Sequence, residues 1–470
     1  MIRNTLALLE EGVSKNIVVE IHSKETSRLI HLLNKDAQCV ACPELVGRLM
    51  IQSTRGLHQV MTNVLGFDGS EFYFSEHPNL VGVTFRDAHI WFEDAILIGY
   101  KNRITNKIEL NPPPDTKINS DMELVLFAED DDTYEARKPS GNDVTRWTLQ
   151  QQHSDNDERK EEKEEERVAS EHILLIGWRD RMFEMMSDLD ACIGKGSTVT
   201  ILCQLPLKER VASLERSSFL KNGTVPPPAP ALDKLRGLLC EHHDNAAVSK
   251  KLVLELEAAE KAECDRFGFQ NIVQIEHVVE SPVLRCNLDM IQLERFDVVL
   301  ILADESARYF GNKITSVAKD KDSQSVATLL LTRDIRSELN LKKPLPILAE
   351  ILDSHTKHLL ASHSQQDCVT SNELISKAMA MISERSEVAE ILDELLTDVG
   401  NEFYVYPATR YCKVGEKASF WDLCARALSR RDILIGYIDA KAPNSPVLNP
   451  EDKREVRTWA RGDKLVLIHE

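Results

Sequence analysis

An internal repeat constrains this chain more than any other feature: residues 16–129 recur at 345–470, offset by about 330 to 340 positions. Asn16–Glu20 answers to Pro346–Glu350, Glu44–Met50 to Glu373–Met379, and Glu71-Phe72-Tyr73 to Glu402-Phe403-Tyr404. Farther along, Leu97–Tyr100 matches Leu434–Tyr437, Leu110–Pro112 matches Leu448–Pro450, and Leu124–Leu126 matches Leu465–Leu467. Matched blocks in one order mean that one folding unit is built twice, and any fold assigned to the chain has to contain it twice.

Each copy reads as a short β-branched strand, a helix, a second helix with a paired apolar stripe, and a β-rich lobe. The stripe in the first copy is Leu45, Val46, Leu49 and Met50, and in the second Leu374, Ile375, Ala378 and Met379. These helices, 43–55 and 372–384, offer either domain-pairing surfaces or ordinary core. The periodicity changes from helical to alternating after Tyr73 and Tyr404. Turns at Pro112–Pro114 and Asn444–Pro446 punctuate lobes expected to be small sandwiches or split α/β modules.

Residues 172–335 precede the second copy and alternate strand with helix, the signature of a parallel, doubly wound sheet with right-handed crossovers. The first copy has no such half, so the chain is expected to begin inside a domain. The fold class is therefore α/β: two tandem units, each a Rossmann-like sheet plus a small β-rich lobe, the first incomplete. Residues 1–135 are expected to hold the crossover helices and lobe of the first unit, and 136–170 a charged linker whose charge run, 155–167, reads as a solvated helix or a disordered connection. Residues 171–340 form the Rossmann-like half of the second unit, interrupted by a Pro-rich insertion near 205–270, and 341–470 its crossover helices and lobe.

A formal charge of -19 argues against broad nucleic-acid binding, which needs clustered Lys and Arg to neutralise phosphates; cations are the more natural partners. No uncharged apolar run reaches the length of about 18–20 residues that spans a bilayer, and the first residues lack a signal peptide's apolar stretch. Ten cysteines are sparse for 470 residues, and Cys39 and Cys42 alone have CxxC spacing; reduced structural thiols are the expectation.

Catalytic motifs are missing. The turn after the first strand of the sheet, Ile176-Gly-Trp-Arg-Asp-Arg-Met182, keeps one glycine of the dinucleotide fingerprint but puts Arg179 and Met182 where the later glycines belong. No HExxH, GxSxG or Walker-type sequence occurs, and His242-His243 lies in a polar stretch, so no enzyme is expected and no catalytic or cofactor-binding residue is assigned. Candidate cation ligands are Asp304 and Glu305, just past the end of an apolar strand, and the run Glu129, Asp130, Asp131 and Asp132 after the last strand of the first copy. Helix capping by Asp304 or Ser306 and simple solvation of the run are the plain alternatives. Glu71 and Glu402, at matched positions, form a weaker pair.

The blocks Val46–Gln52, Ala128–Tyr134, Leu300–Ser306, Ala327–Ile335 and Ser371–Met381 resemble the cytosolic region of the CASTOR/POLLUX ion channels, in order and over nearly the whole chain. The resemblance implies a tetrameric cation channel whose pore helices precede two RCK (regulator of K⁺ conductance) domains per subunit. Eight such domains would form a gating ring regulated by Ca²⁺, in the nuclear envelope or a plastid envelope. Departures from that pattern are the absent pore helices, the missing leading strands and the Pro-rich insertion, which suggest a fragment. The rival reading is a soluble nucleotide-dependent regulator or oxidoreductase on the same sheet, and a third is a scaffold without ligand response.

Overall fold

The structure is a computed structural model of residues 1–470. It describes all of them except 1, 14, 22–23, 67–68, 156–168, 180, 223–245, 306–317, 340–344, 361–367, 398–399 and 470. The Pro-rich stretch at 225–230, His242-His243, Ser306 and most of the charge run 155–167 lie outside the described residues. Two compact units result: Met1–Cys42, Arg55–Glu164 and Ser376–Glu470 make one, and Pro43–Thr54 with Glu165–Ile375 make the other.

The first unit opens with the helix Ile2–Glu10, followed by β1 (Val18–Ile21) and β2 (Gln38–Ala41), a parallel pair around the helix Lys24–Leu33. Ile17, Val19, Ile21, Ile30 and Ala37 form its small core. The first lobe follows as β3 (Glu71–Ser75), β4 (Ile96–Asn102), β5 (Ile108–Leu110) and β6 (Met122–Ala128), an antiparallel sheet in the order β3-β6-β4-β5. Phe72 and Phe74 point inward while Glu71 and Tyr73 stay half-exposed, as alternation on a one-sided sheet requires.

The second unit is built on β7 (His172–Ile176), β8 (Ser197–Cys203), β9 (Ile272–Val279), β10 (Val298–Ile301), β11 (Ile347–Ile351) and β12 (Cys368–Thr370). All six pair parallel in the order β9-β8-β7-β10-β11-β12, the doubly wound arrangement, whose direction of winding reverses between β7 and β10. Its central strands are apolar without alternation because helices cover both faces: Leu174, Ile176, Val299, Ile301, Ile347 and Ile351 share one core. Strands β11 and β12 repeat in the second copy the parallel pair that β1 and β2 make in the first.

The second lobe contains β13 (Glu402–Pro407), β14 (Lys417–Ser419), β15 (Ile433–Ile438), β16 (Val447–Leu448), β17 (Val456–Thr458) and β18 (Lys464–His469). Its main sheet runs β13-β18-β15-β16, the order of the first lobe strand for strand, with β14 and β17 as an added ribbon. Both lobes carry a bulge at the same place, between Leu97 and Gly99 and between Leu434 and Gly436. The helix Phe420–Leu428 begins at a capping box in which Ser419 accepts from the Asp422 amide while Asp422 accepts from the Ser419 amide. Its counterpart Phe85–Ala88 is shorter but starts the same way, with Thr84 accepting from the Asp87 amide.

The connection read as charged linker contains a helix, Gly141–Asp155, which packs on the helix Phe420–Leu428. Arg146 donates to both oxygens of Asp422, at 2.7 and 2.5 Å, Gln150 accepts from Arg426, and Trp147 meets Trp421 at 6.0 Å between ring centroids. Buried Trp147 is the reason the helix docks: a large ring at a position otherwise surrounded by polar residues has to leave water.

Candidate regulatory sites

In an open α/β sheet, ligands bind beyond the strand carboxyl ends where the winding reverses. Here that point lies past β7 and β10, and the residues arriving are Gly177-Trp178-Arg179 and Leu302–Glu305. Gly177 has φ +100°, and a Cβ there would stand 2.9 Å from the Leu302 carbonyl oxygen, so the two loops touch. The Trp178 amide donates to Asp304 Oδ1 at 3.2 Å, and the Glu305 amide donates to the Trp178 carbonyl at 2.7 Å. Trp178 is wholly buried. Arg179 approaches Glu350 Oε2 at 3.5 Å, and Lys321 approaches Glu305 Oε1 at 3.3 Å. Glu350 also accepts from the Ala303 amide. A dinucleotide needs an open glycine turn there; this turn carries Trp178, which is buried, and Arg179, which is paired with Glu350.

Asp304 and Glu305 thus stand at the switch point, and each already has a partner. Holding Ca²⁺ there would mean releasing the Trp178 amide and the Lys321 ammonium, since Ca²⁺ takes six to eight oxygens. Glu129, Asp130, Asp131 and Asp132 lie on the exposed exit from β6, in a turn closed by Thr133: its hydroxyl accepts from the Asp130 amide and donates to the Asp130 carbonyl. Among the described residues, no three His, Cys, Asp or Glu side chains converge to hold a metal ion. As arranged, neither set fits a Ca²⁺ cage.

The two lobes of the first unit are joined by a contact that repeats in both directions. Asn111 and Asn449 end the matched Leu-Asn segments, with φ +45° and +43°, the left-handed region that Asn tolerates better than most side chains. Each donates its own amide N–H within its lobe, to Ile98 and to Ile435, both at 2.8 Å. Each then reaches into the other lobe: Asn111 Nδ2 donates to the Arg431 carbonyl at 2.7 Å, and Asn449 Nδ2 to the Asp94 carbonyl at 2.8 Å. Arg431 and Asp94 are themselves matched positions, two residues ahead of Ile433 and Ile96. Two further bonds join the lobes: Asn401 donates to the Leu110 carbonyl, and Asn449 donates to Ser70 Oγ.

Charged groups frame this contact. Lys101 pairs with Glu387 at 2.8 Å, and Arg385 pairs with Glu123 at 2.9 Å while lying over the Phe74 ring. Lys453, nearly buried, donates to the Glu93 carbonyl at 2.7 Å, and burial pushes its pKa down to about 8.

Of the other candidates, Glu71 sits half-buried with its carboxyl pushed up, chiefly by burial and then by Glu384 and Asp130. The thiol of Cys42 is pushed up to about 12 by burial and by Glu20, and that of Cys39 is also raised by burial. Thiolates are disfavoured at both, as for structural cysteines. The asparagines of the clasp were not singled out as functional in the sequence. The signal was present in the repeat, because a Leu-Asn-Pro triplet retained in both copies marks a backbone position that few other residues fill.

Known proteins place the chain. The family described as "Castor and Pollux, part of voltage-gated ion channel" matches residues 43–144. The chain is 31% identical to a probable ion channel POLLUX of Oryza sativa over 99% of its own length and 44% of that protein. It is 32% identical to the ion channel CASTOR of Lotus japonicus over 100% of its length and 51% of that protein. It therefore spans about half the length of the curated relatives it matches. In fold it is similar to the human SLO3 gating ring, with a TM-score of 0.58 at 13% identity, over 99% of this chain and 84% of that one. No helix among the described residues is long and apolar enough to cross a membrane. By sequence the chain belongs to the CASTOR/POLLUX ion-channel family, and its fold is similar to that of a gating ring.

Proposed function

We propose that this chain is the ring-forming regulatory portion of a CASTOR/POLLUX-type cation channel rather than an enzyme. The observation that carries the proposal is the reciprocal clasp: two copies of one lobe held face to face by matched asparagines. Such a contact resembles the self-complementary interface of a twofold dimer built into one chain. It suits a device that changes shape, since both halves present the same donor and acceptor and a rotation affects both together. Four chains, each with two RCK-type units divided near 135, 170 and 340, would make a ring of eight. The relatives are named ion channels, and the resemblance points to a nuclear or plastid envelope as the host membrane.

Ca²⁺ regulation belongs to the same proposal. Only a ligand that binds one ring geometry more tightly than another can shift the population between them. The residues proposed to sense Ca²⁺ are Asp304 and Glu305, which form no cage in this conformation; their partners, Trp178 and Lys321, would have to move before a cation could bind there. The turn after β7, with Arg179 and Met182 in place of glycines and Arg179 paired with Glu350, weighs against the nucleotide-dependent reading.

Light scattering coupled to gel filtration tests this with the full chain. The expected result is an assembly of about four chains whose hydrodynamic radius changes between chelator and millimolar Ca²⁺, the change moving to higher Ca²⁺ in the Asp304→Asn, Glu305→Gln variant. A monomer insensitive to Ca²⁺ but shifted in melting temperature by NAD or ATP would overturn the reading.

A further inference from the structure

The helix Gly141–Asp155 is thinly anchored for an element that packs on a lobe. Of its described side chains only Trp147 is buried, while Val144 and Leu149, its other large apolar residues, stay in water at 45% and 55% exposed. Polar residues make up most of the rest, and an isolated helix of this length is marginal in water. Its order therefore depends on what the second lobe offers it.

The lobe offers a polar seam around one indole. Trp147 meets Trp421, Arg146 pairs with Asp422, Asp143 pairs with Arg454 at 3.5 Å, and Gln150 accepts from Arg426. The Arg146 and Arg454 side chains are each about half in water, so solvent screens both pairs. Docking also leaves two buried donors, Trp147 Nε1 and Gln151 Nε2, without a hydrogen-bond partner among the described residues. Gln151 lies one turn beyond Trp147 on the same face, and both donors regain water on release. The seam is loosely packed as well: a gap of about 30 Å³ lies between the helices, lined by Trp147 and Gln150 on one side and Trp421 and Ala425 on the other. Atoms around such a void forfeit contacts on that side.

We propose that Gly141–Asp155 is a releasable strap: docked on the second lobe it shortens the chain that leads from β6 to β7, and released it lengthens that chain. As a helix its 15 residues span about 22 Å, whereas the same residues extended reach about 50 Å. The connection thus has two settings. The balance between them sets one tryptophan against two orphaned donors and the entropy of ordering the helix. The sheet of the same lobe has no such balance, because Leu465, Val466, Leu467 and Ile468 of β18 are buried in an unbroken row. The proposal rests on neither the channel assignment nor Ca²⁺.

Hydrogen exchange of the full chain, read by mass spectrometry, tests it. Amides of residues 148–152 are expected to exchange at least about a hundredfold faster than those of residues 465–468, through opening of the strap alone. Trp147→Ala is expected to speed exchange in the strap at least about tenfold and to leave residues 465–468 unchanged. Gln151→Met, which removes an orphaned donor at similar volume, is expected to slow strap exchange about fivefold. Leu149→Ala, on the water side of the helix, should change it less than about twofold. Strap amides as slow as those of β18 would overturn the proposal, as would a Trp147→Ala effect spread equally over both segments. So would unchanged or faster strap exchange in Gln151→Met, or a Leu149→Ala effect equal to that of Trp147→Ala, which would mean fraying without docking.

Discussion

His89 lies fully inside the first lobe, edge-on to Phe85 at 4.9 Å, and burial pushes its pKa down from 6.5 to about 3. Its Nε2 has no hydrogen-bond partner. The unfolded chain takes up a proton near pH 6.5 that the folded lobe refuses, so this stability is whole above pH 6.5. It is lost progressively as pH falls from there toward 3. At pH 5 the loss from this residue is about 2 kcal/mol. Urea unfolding at pH 7 and pH 5 should show that difference in the native chain and little of it in His89→Asn. The same scale explains what could be read about Asp304 and Glu305. Their position past an apolar strand was legible, since strand ends in α/β proteins deliver side chains to one edge. Their partners were not, because Trp178 and Lys321 reach them from segments 126 and 16 positions away. Arg210 is a further case: fully buried, it donates to the carbonyls of Ile201, Cys203, Leu205 and Val278 at the ends of β8 and β9. Nothing local marks an arginine for that role.

Among elements, the paired strands of each lobe depend on one glycine. A Cβ on Gly99 would come within 2.4 Å of the Glu109 carbonyl oxygen, and one on Gly436 within 2.4 Å of the Val447 carbonyl oxygen. Neither contact can be relieved by a side chain turning aside, because backbone stands in the way. Both glycines sit at the matched bulges, where the neighbouring hairpin strand closes in. Gly436→Ala is therefore expected to cost about 2–3 kcal/mol, read as a fall in the urea midpoint with loss of protection along Val447–Leu448. Gly141→Ala, where nothing stands within 4 Å, is expected to be neutral or slightly stabilising. The strand-helix alternation of 172–335 and the β-rich character of both lobes were legible because their apolar periods are unambiguous. The helix Gly141–Asp155 was not, because mostly polar residues conceal a single buried tryptophan whose partner, Trp421, is remote in sequence.

For the whole molecule, the joining of the lobes is the decisive feature, and its asparagines can be separated into two contributions. Asn111→Ala loses a cross-lobe hydrogen bond and strains a left-handed backbone, at an expected cost of about 2–3 kcal/mol. Asn111→Gly loses only the hydrogen bond and should cost about 1 kcal/mol less. Asn449 should follow the same order, and combining Asn111→Ala with Asn449→Ala should raise hydrogen exchange in both lobes together. If the two asparagines acted within their own lobes only, each variant would loosen one lobe alone.

What the sequence determined by itself was the duplication, the α/β class and the family, because repeated apolar periods and turn residues are local and survive without knowledge of partners. Tertiary structure alone decided that the copies clasp each other through Asn111 and Asn449, that the Trp178 amide holds Asp304 at the switch point, and that five carboxylates from two lobes, those of Glu129, Asp439, Glu451, Asp452 and Glu455, share one groove. Those outcomes depend on contacts between residues far apart in the chain, 126 positions for Trp178 and Asp304 and 320 for Asn111 and Arg431, and no pattern along the chain encodes the distance across a groove.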